Sequence, residues 1–303
     1  MAGLESETQL KATSAIQQPP FRRVRNLPRL LFRELRHNFL ASLGTTIVAL
    51  FLLMAAVGPL LTHYTYDQQT DDLKQAPSLQ HIFGTDNLGR DVFSRVVAGS
   101  RDIISLAGVG TVIAVILGTL IGLVVSYEGG WLDEIVMRLF DSVLSLPAGM
   151  LALLVLGAVG PSRESILLVI IIVYIPIVAR VVRSVVLDIK TRAFVEAARL
   201  RGEGRVYILS REILPNVMPA LVVEASLRFS YAIFLVATLG FLGVGVQPPS
   251  PDWGLMAAQS RGYAFTAPWM LFFPCAAVAV LIVGVNLMSD GLKRIFQTSL
   301  SAQ

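Results

Sequence analysis

Phe194-Val195-Glu196-Ala197-Ala198-Arg199-Leu200-Arg201-Gly202, closing at Ile213-Leu214-Pro215, is a charged stretch set between two long apolar runs. The whole segment between those runs, 183–216, carries seven Lys and Arg, more than any other internal segment between two such runs, which by the positive-inside rule places it in the cytosol. Glu196, Ala197 and Ala198 favour helix, Gly202 permits a tight turn, and Pro215 opens the next helix where a missing N–H costs nothing. The stretch reads as a short exposed helix, a turn, and re-entry into the membrane.

Composition sets the class around it. The chain has 303 residues, 54% hydrophobic and 15% charged, with a mean hydropathy of +0.66, too apolar for an ordinary soluble domain. Apolar runs at about 40–62, 103–126, 136–159, 166–182, 217–243 and 267–288 are each long enough to cross roughly 30 Å of hydrocarbon. The expected fold class is an all-α membrane protein with six transmembrane helices. Arginines cluster before the first run and between Arg180 and Arg211, whereas the segments after runs one, three and five lack excess positive charge. The N and C termini are therefore expected in the cytosol with the Glu196 loop. The acidic turn from Glu128 to Glu134 gives that rule no support. Arg180 and Arg183, at the end of the fourth run, read as anchors that snorkel into the cytosol.

Residues 1–26 are polar and read as a mobile tail. In 27–39, Leu27, Leu30, Leu31 and Leu35 recur at helical spacing while Arg29, Arg33, Arg36 and His37 fall on the other side, as in a basic helix lying on anionic headgroups. The rest, 40–303, is one six-helix domain with an external loop at 64–102 and a cytosolic loop at 188–215. The first apolar run starts too late and is too long for a signal peptide. The net charge of +4 is concentrated in a few segments, so it speaks of topology and not of nucleic acid. A single cysteine, Cys275, excludes an intrachain disulfide and a cysteine metal cluster. His37, His63 and His81 are scattered, and neither a phosphate loop nor paired metal-ligand spacing is present, so no catalytic or metal set is expected.

The loop after the first run reads His81-Ile82-Phe83-Gly84-Thr85-Asp86-Asn87-Leu88-Gly89-Arg90-Asp91-Val92-Phe93-Ser94-Arg95. Asp86 with Arg90, and Asp91 with Arg95, stand at i,i+4 and each supports a short solvated helix by about 0.3 to 0.5 kcal/mol. Gly118 and Gly122 in the second run let another helix approach closely. Pro248, Pro249 and Pro251 end the fifth run, and Trp253 and Trp269 suit an interfacial aromatic belt. Glu224 and Arg228 lie inside the fifth run at i,i+4, where ionisable groups are expensive. Two readings are open for this pair. It is a structural pair facing the bundle or a partner, or it lies on a translocation path where opposite charges meet a zwitterionic solute.

The spacing Glu196-Ala197-Ala198, three residues, Gly202, then eleven residues to Leu214-Pro215 resembles the motif of membrane subunits of bacterial ABC importers. Glu212 stands where that family often has an apolar residue or His. The run G-T-D-N-L-G-R-D-V-F-S-R-V, with Gly84, Asp86, Gly89, Arg90, Asp91 and Arg95, resembles the signature of the C-type subunit of dipeptide and oligopeptide permeases. The likeness continues through 127–133, 241–254, 267–269 and 286–292, leaving out about the first 20 residues. It implies the type I ABC importer permease fold, a multi-pass place in the bacterial cytoplasmic (inner) membrane, and no enzymatic activity in this chain.

It also implies that Glu196, Ala197, Ala198, Arg199, Arg201, Gly202, Leu214 and Pro215 form a coupling element that docks on an ATPase. The partners implied are a second permease subunit forming a heterodimer, two ATP-binding subunits or domains, and an external solute-binding protein. ATP and Mg belong to the ATPase subunits, and this chain binds no cofactor. Peptides are the expected solutes, and the same pattern serves glutathione, nickel chelates and glycosides. A self-contained secondary transporter is the competing class. It calls for inverted repeats, broken mid-membrane helices and several intramembrane acids, of which Glu224 is essentially the one seen. A non-transporting scaffold is a third.

Overall fold

The computed structural model describes residues 38–301, and among them the regular structure is helical, with two isolated β-bridges at Gln69–Arg90 and Thr85–Asp91. The tail at 1–26, and all but the last two residues of the amphipathic helix expected at 27–39, lie outside the described residues. Helix α1 spans Phe39–Leu61 and is capped by Asn38, whose side chain accepts from the Ala41 N–H at 3.3 Å. Helix α2 spans Val92–Glu128, α3 Gly130–Leu144, α4 Ala148–Val159 and α5 Arg163–Ile189. A short helix α6, Ala193–Leu200, precedes α7, Leu214–Phe241. Helix α8, Trp253–Ser260, and the long α9, Trp269–Ser301, complete the chain.

Among the described residues five helices are long and apolar enough to cross a membrane, or six if the bent pair α3 and α4 makes one span. Three expectations change. The second span starts at Val92 and not Ile103, because Asp91 caps it by accepting from the Ser94 N–H at 2.7 Å. The connecting loop placed at 64–102 therefore ends at Asp91. The third apolar run is not straight, since α3 and α4 are bent by 86°. Pro147 sits at the break, has no N–H to continue the helix and disfavours helical geometry at Leu146. A hydropathy window averages over such a proline. Finally, Pro215 does not open a fresh helix. A turn at Arg205–Tyr207 and a π-helical segment, Ile208–Ile213, lead without interruption into α7. The wider π turn gives room where a proline ring would otherwise meet the carbonyl of Arg211.

Helices α2 and α5 pack along their length through the small residues picked out from sequence. A Cβ on Gly118 would stand 2.8 Å from the Val178 Cβ, and one on Gly122 2.7 Å from the Ala179 carbonyl. The buried apolar residues form two separate groups. One, with Ile103, Ile170, Ile233, Trp253 and Leu281, joins α2, α5, α7, α8 and α9. The other, with Leu123, Val182, Val186, Val195, Ala198, Ile208, Ile213 and Val217, gathers the opposite end of α2 against α5, α6 and α7.

Candidate functional site

Helix α6 presents Glu196, Ala197, Arg199 and Leu200 outward and buries Val195 and Ala198 in the second apolar group. Its end is a Schellman turn. The Gly202 N–H donates to the Arg199 carbonyl at 3.0 Å and the Glu203 N–H to the Ala198 carbonyl at 3.2 Å, with Gly202 at φ +78°. That left-handed geometry is the reason for glycine at this point of the motif. Arg201 reaches Glu203 at 3.6 Å and Glu212 at 3.9 Å, so the position that departs from the family pattern supplies an ion-pair partner. Leu214 and Pro215 are half-buried beneath this turn. Leu200 and Val206 are 86% and 81% exposed, two apolar knobs among exposed charged and apolar side chains.

The loop is latched to the end of α2 by contacts that sequence reasoning did not foresee. The Lys190 ammonium donates to the Ser126 carbonyl at 2.8 Å, Arg205 pairs with Glu128 at 2.8 Å, and the Arg199 guanidinium lies 5.1 Å from the Tyr127 ring. The acidic turn that sat badly with the charge rule is thus matched across space. Arg183 grips Asp133 with two bonds of 2.8 and 2.7 Å, and Arg180 pairs with Asp141. Both arginines tie α5 to α3, a packing role that the reading of them as snorkelling anchors did not include.

At the other end of α2 the signature stretch is folded inward and is not a solvated helix. Asp86 accepts from the Leu88 and Arg90 N–H groups at 2.8 and 2.9 Å and pairs with the Arg90 side chain at 2.7 Å. Arg95 does not meet Asp91. It stands 3.9 Å from Asp86 and donates to the carbonyls of Tyr66 at 3.2 Å and Ser250 at 3.3 Å. Asp91 instead receives His81, whose Nδ1 lies 2.9 Å from it, while the Tyr64 ring stacks on the imidazole at 4.8 Å. Gly84 and Gly89 hold φ +74° and +73°, and a Cβ on Gly89 would fall 2.0 Å from the Thr70 carbonyl oxygen.

Trp253 is fully buried, its indole N–H donating to the Val96 carbonyl at 2.9 Å, so it is a core residue and not a belt anchor. The half-buried Trp269 donates to the Thr85 carbonyl at 3.1 Å. Asp252 caps α8 by accepting from the Leu255 N–H at 2.8 Å, but its other oxygen is buried without a partner. Burial, with the Asp102 carboxylate nearby, pushes its carboxyl up to about 6.

Glu224 and Arg228 do meet, Oε1 to Nε at 2.8 Å, on one face of α7. The two atoms are out of line for a hydrogen bond, and neither has another partner. The guanidinium faces the rings of Tyr231 at 4.9 Å and Tyr174 at 5.7 Å. Tyr174 and Tyr231 carry no charge pattern that sequence reading would have caught. Among the described residues no three His, Cys, Asp or Glu side chains gather to hold a metal ion.

Residues 110–302 match the model of the binding-protein-dependent transport system inner membrane component family, and residues 27–79 that of the N-terminal TM domain of oligopeptide transport permease C. The dipeptide transport system permease protein DppC of Alkalihalophilus pseudofirmus is 39% identical over 263 residues, 86% of each chain. The glutathione transport system permease protein GsiD of Escherichia coli O6:K15:H31 is 35% identical over 264 residues, 86% of this chain and 87% of that one. A chain of the inward-facing MetNI methionine ABC transporter is similar in fold, with a TM-score of 0.55 at 20% identity over 66% of this chain and 95% of that chain. The 86° bend supplies one feature named for a secondary transporter, but the family match covers that segment and decides the class. This chain belongs to the binding-protein-dependent transport system inner membrane component family and is an ABC importer permease of the peptide C type.

Proposed function

We propose that this chain forms half of the translocation path of a peptide importer in a bacterial inner membrane and takes its drive from a separate ATPase through the Glu196 loop. The observation that carries the reading is the two-sided character of α6. Its outer face offers Glu196, Arg199 and the exposed Leu200 knob, charged and apolar groups side by side of the kind that suits a protein contact. Its inner face shares one apolar group with the ends of α2, α5 and α7. A push on the outer face therefore displaces three helix ends together, as a rigid-body switch between inward and outward access requires.

In this reading the loop and both termini are cytosolic, and ATP and Mg are held by two ATP-binding subunits or domains. A second, different permease chain completes the path, and an external binding protein delivers the solute. Glu224 and Arg228 lie on that path. Peptides are favoured by the C-type signature and by the dipeptide permease likeness.

The test is the ATPase activity of the complex that co-purifies with a tagged chain, with and without solute-loaded binding protein. Glu196→Ala and Gly202→Asp are each expected to lose solute stimulation or ATPase association. A chain that purifies alone and moves solute without ATP overturns the coupling reading. Orientation is checked by labelling Leu200→Cys and Leu79→Cys in a Cys275→Ala background with an impermeant maleimide. Intact cells are expected to label only the latter.

A further inference from the structure

Arg228 stands at the middle of α7 (Leu214–Phe241), roughly 20 Å from either end. A guanidinium carries five N–H donors and never loses its charge. Here its contacts are the misaligned one to Glu224 and the two tyrosine rings, and it makes no hydrogen bond to any described residue. Glu224 is 8% exposed and its Oε1 also lacks an aligned donor. A charge at mid-span is too expensive to leave facing lipid. An ion pair left this incomplete in a buried site is destabilising unless something else completes it.

The surroundings specify what that is. Glu224 approaches the guanidinium at Nε, which leaves the edge formed by its two terminal nitrogens for another acceptor. Tyr174, 4% exposed, and Tyr231, 55% exposed, lie within cation–π range of the guanidinium and help to orient it. A planar, oriented guanidinium with a free edge matches one ligand class, the carboxylate, which it takes bidentately. Because Glu224 already neutralises Arg228, a passing anion is held by geometry and not by a full net charge. Such a site binds weakly enough to release, as a transport path needs. The two side chains are in contact, so they do not clasp the separated ends of one peptide.

We propose that Arg228 is a carboxylate receptor on the translocation path, with Glu224, Tyr174 and Tyr231 positioning its guanidinium, and that it reads the C-terminal carboxylate of the transported peptide. This rests on the peptide-importer reading above. The experiment uses the full complex in proteoliposomes with its binding protein, comparing ATP-driven uptake of alanine peptides two to five residues long with their C-terminal amides. The binding protein is the same in every assay, so a change in the acid-to-amide ratio between variants isolates the permease.

Arg228→Gln is expected to lower that ratio by about tenfold, the worth of a charge-assisted bond. Arg228→Lys is expected to restore part of it, and Tyr231→Leu to lower it less. An unchanged ratio in Arg228→Gln, with uptake intact, overturns the receptor alone. Loss of the second permease from the purified Arg228→Gln complex also overturns it, because the ligand is then a partner carboxylate at a subunit interface. If wild type carries no alanine peptide while ATPase stimulation by its own solute persists, the peptide reading falls and the receptor with it.

Discussion

The two ends of α2 carry two glycine-bearing, highly charged motifs that behave in opposite ways. At the first end Asp86, Arg90, Asp91 and Arg95 are 6%, 5%, 3% and 1% exposed and are spent on one another, on His81 and on loop carbonyls. At the second end Glu196, Arg199 and Arg201 are exposed, and the motif buries only Val195, Ala198 and the residues beneath them. The desolvated charges of the first motif are completed inside the chain, so it is a cross-link that seats the 62–91 loop and Ser250 on the start of α2. Solvated charges add little stability, so the second is free to serve a contact surface. Two motifs of one family thus hold the fold at one end and, in the proposed reading, face a partner at the other.

The largest test of this contrast is Arg95→Met beside Arg199→Met. Removing Arg95 leaves the Tyr66 and Ser250 carbonyls without their donor, while Asp86 keeps Arg90, and is expected to cost about 2 to 4 kcal/mol, read as a loss of folded complex in detergent melting. Arg199→Met is expected to change melting by less than about 1 kcal/mol while reducing solute-stimulated ATPase activity. Equal destabilisation by the two would erase the distinction.

The positive-φ glycines sharpen it. Gly89→Ala adds a Cβ against the Thr70 backbone in a left-handed conformation and is expected to cost about 2 to 4 kcal/mol. Around Gly202 a Cβ meets nothing within 4 Å, so Gly202→Ala is expected to cost about 1 kcal/mol, the backbone effect alone.

A pH series probes the first end further. The Asp252 carboxyl is pushed up from 3.8 to about 6. Its protonated form therefore favours folding, and the contribution is fully present below pH 4 and lost as pH rises through 6. Asp252→Asn keeps the cap and removes the buried charge. The variant is expected to gain on wild type between pH 4 and 6.5, by up to about 3 kcal/mol, and to hold that gain at higher pH. A pH-independent difference in melting overturns the assignment.

The smallest effect belongs to the latch. Arg205→Glu and Glu128→Arg are each expected to cost under about 1 kcal/mol in stability, with coupling reduced in each and recovered in the double swap.

Much of this was legible early because it is local. Apolar run lengths, the position of Gly202, the close approach at Gly118 and Gly122, and the family signature depend on neighbours in the chain or on one helix face. The Glu224 and Arg228 contact followed from helical spacing alone. Spacing failed at Asp91 and Arg95, where i,i+4 counting assumed a helix running through both. Asp91 is the cap, so its side chain turns back to the Ser94 N–H and to His81, while Arg95 is carried round to Ser250. Trp253 failed likewise, since a belt position and a core position look the same in sequence.

By itself, then, the sequence determined a multi-spanning helical permease with a charged loop between its fourth and fifth runs. Only the tertiary structure decided the 86° break at Pro147, the burial of the signature charges, the pairing of Arg205 with Glu128, and the tyrosines at Arg228. The physical reason is range. Hydropathy and periodicity record how each residue meets solvent or its own helix, whereas the partner of a charge is chosen by which helices the packing brings within a few ångströms of it.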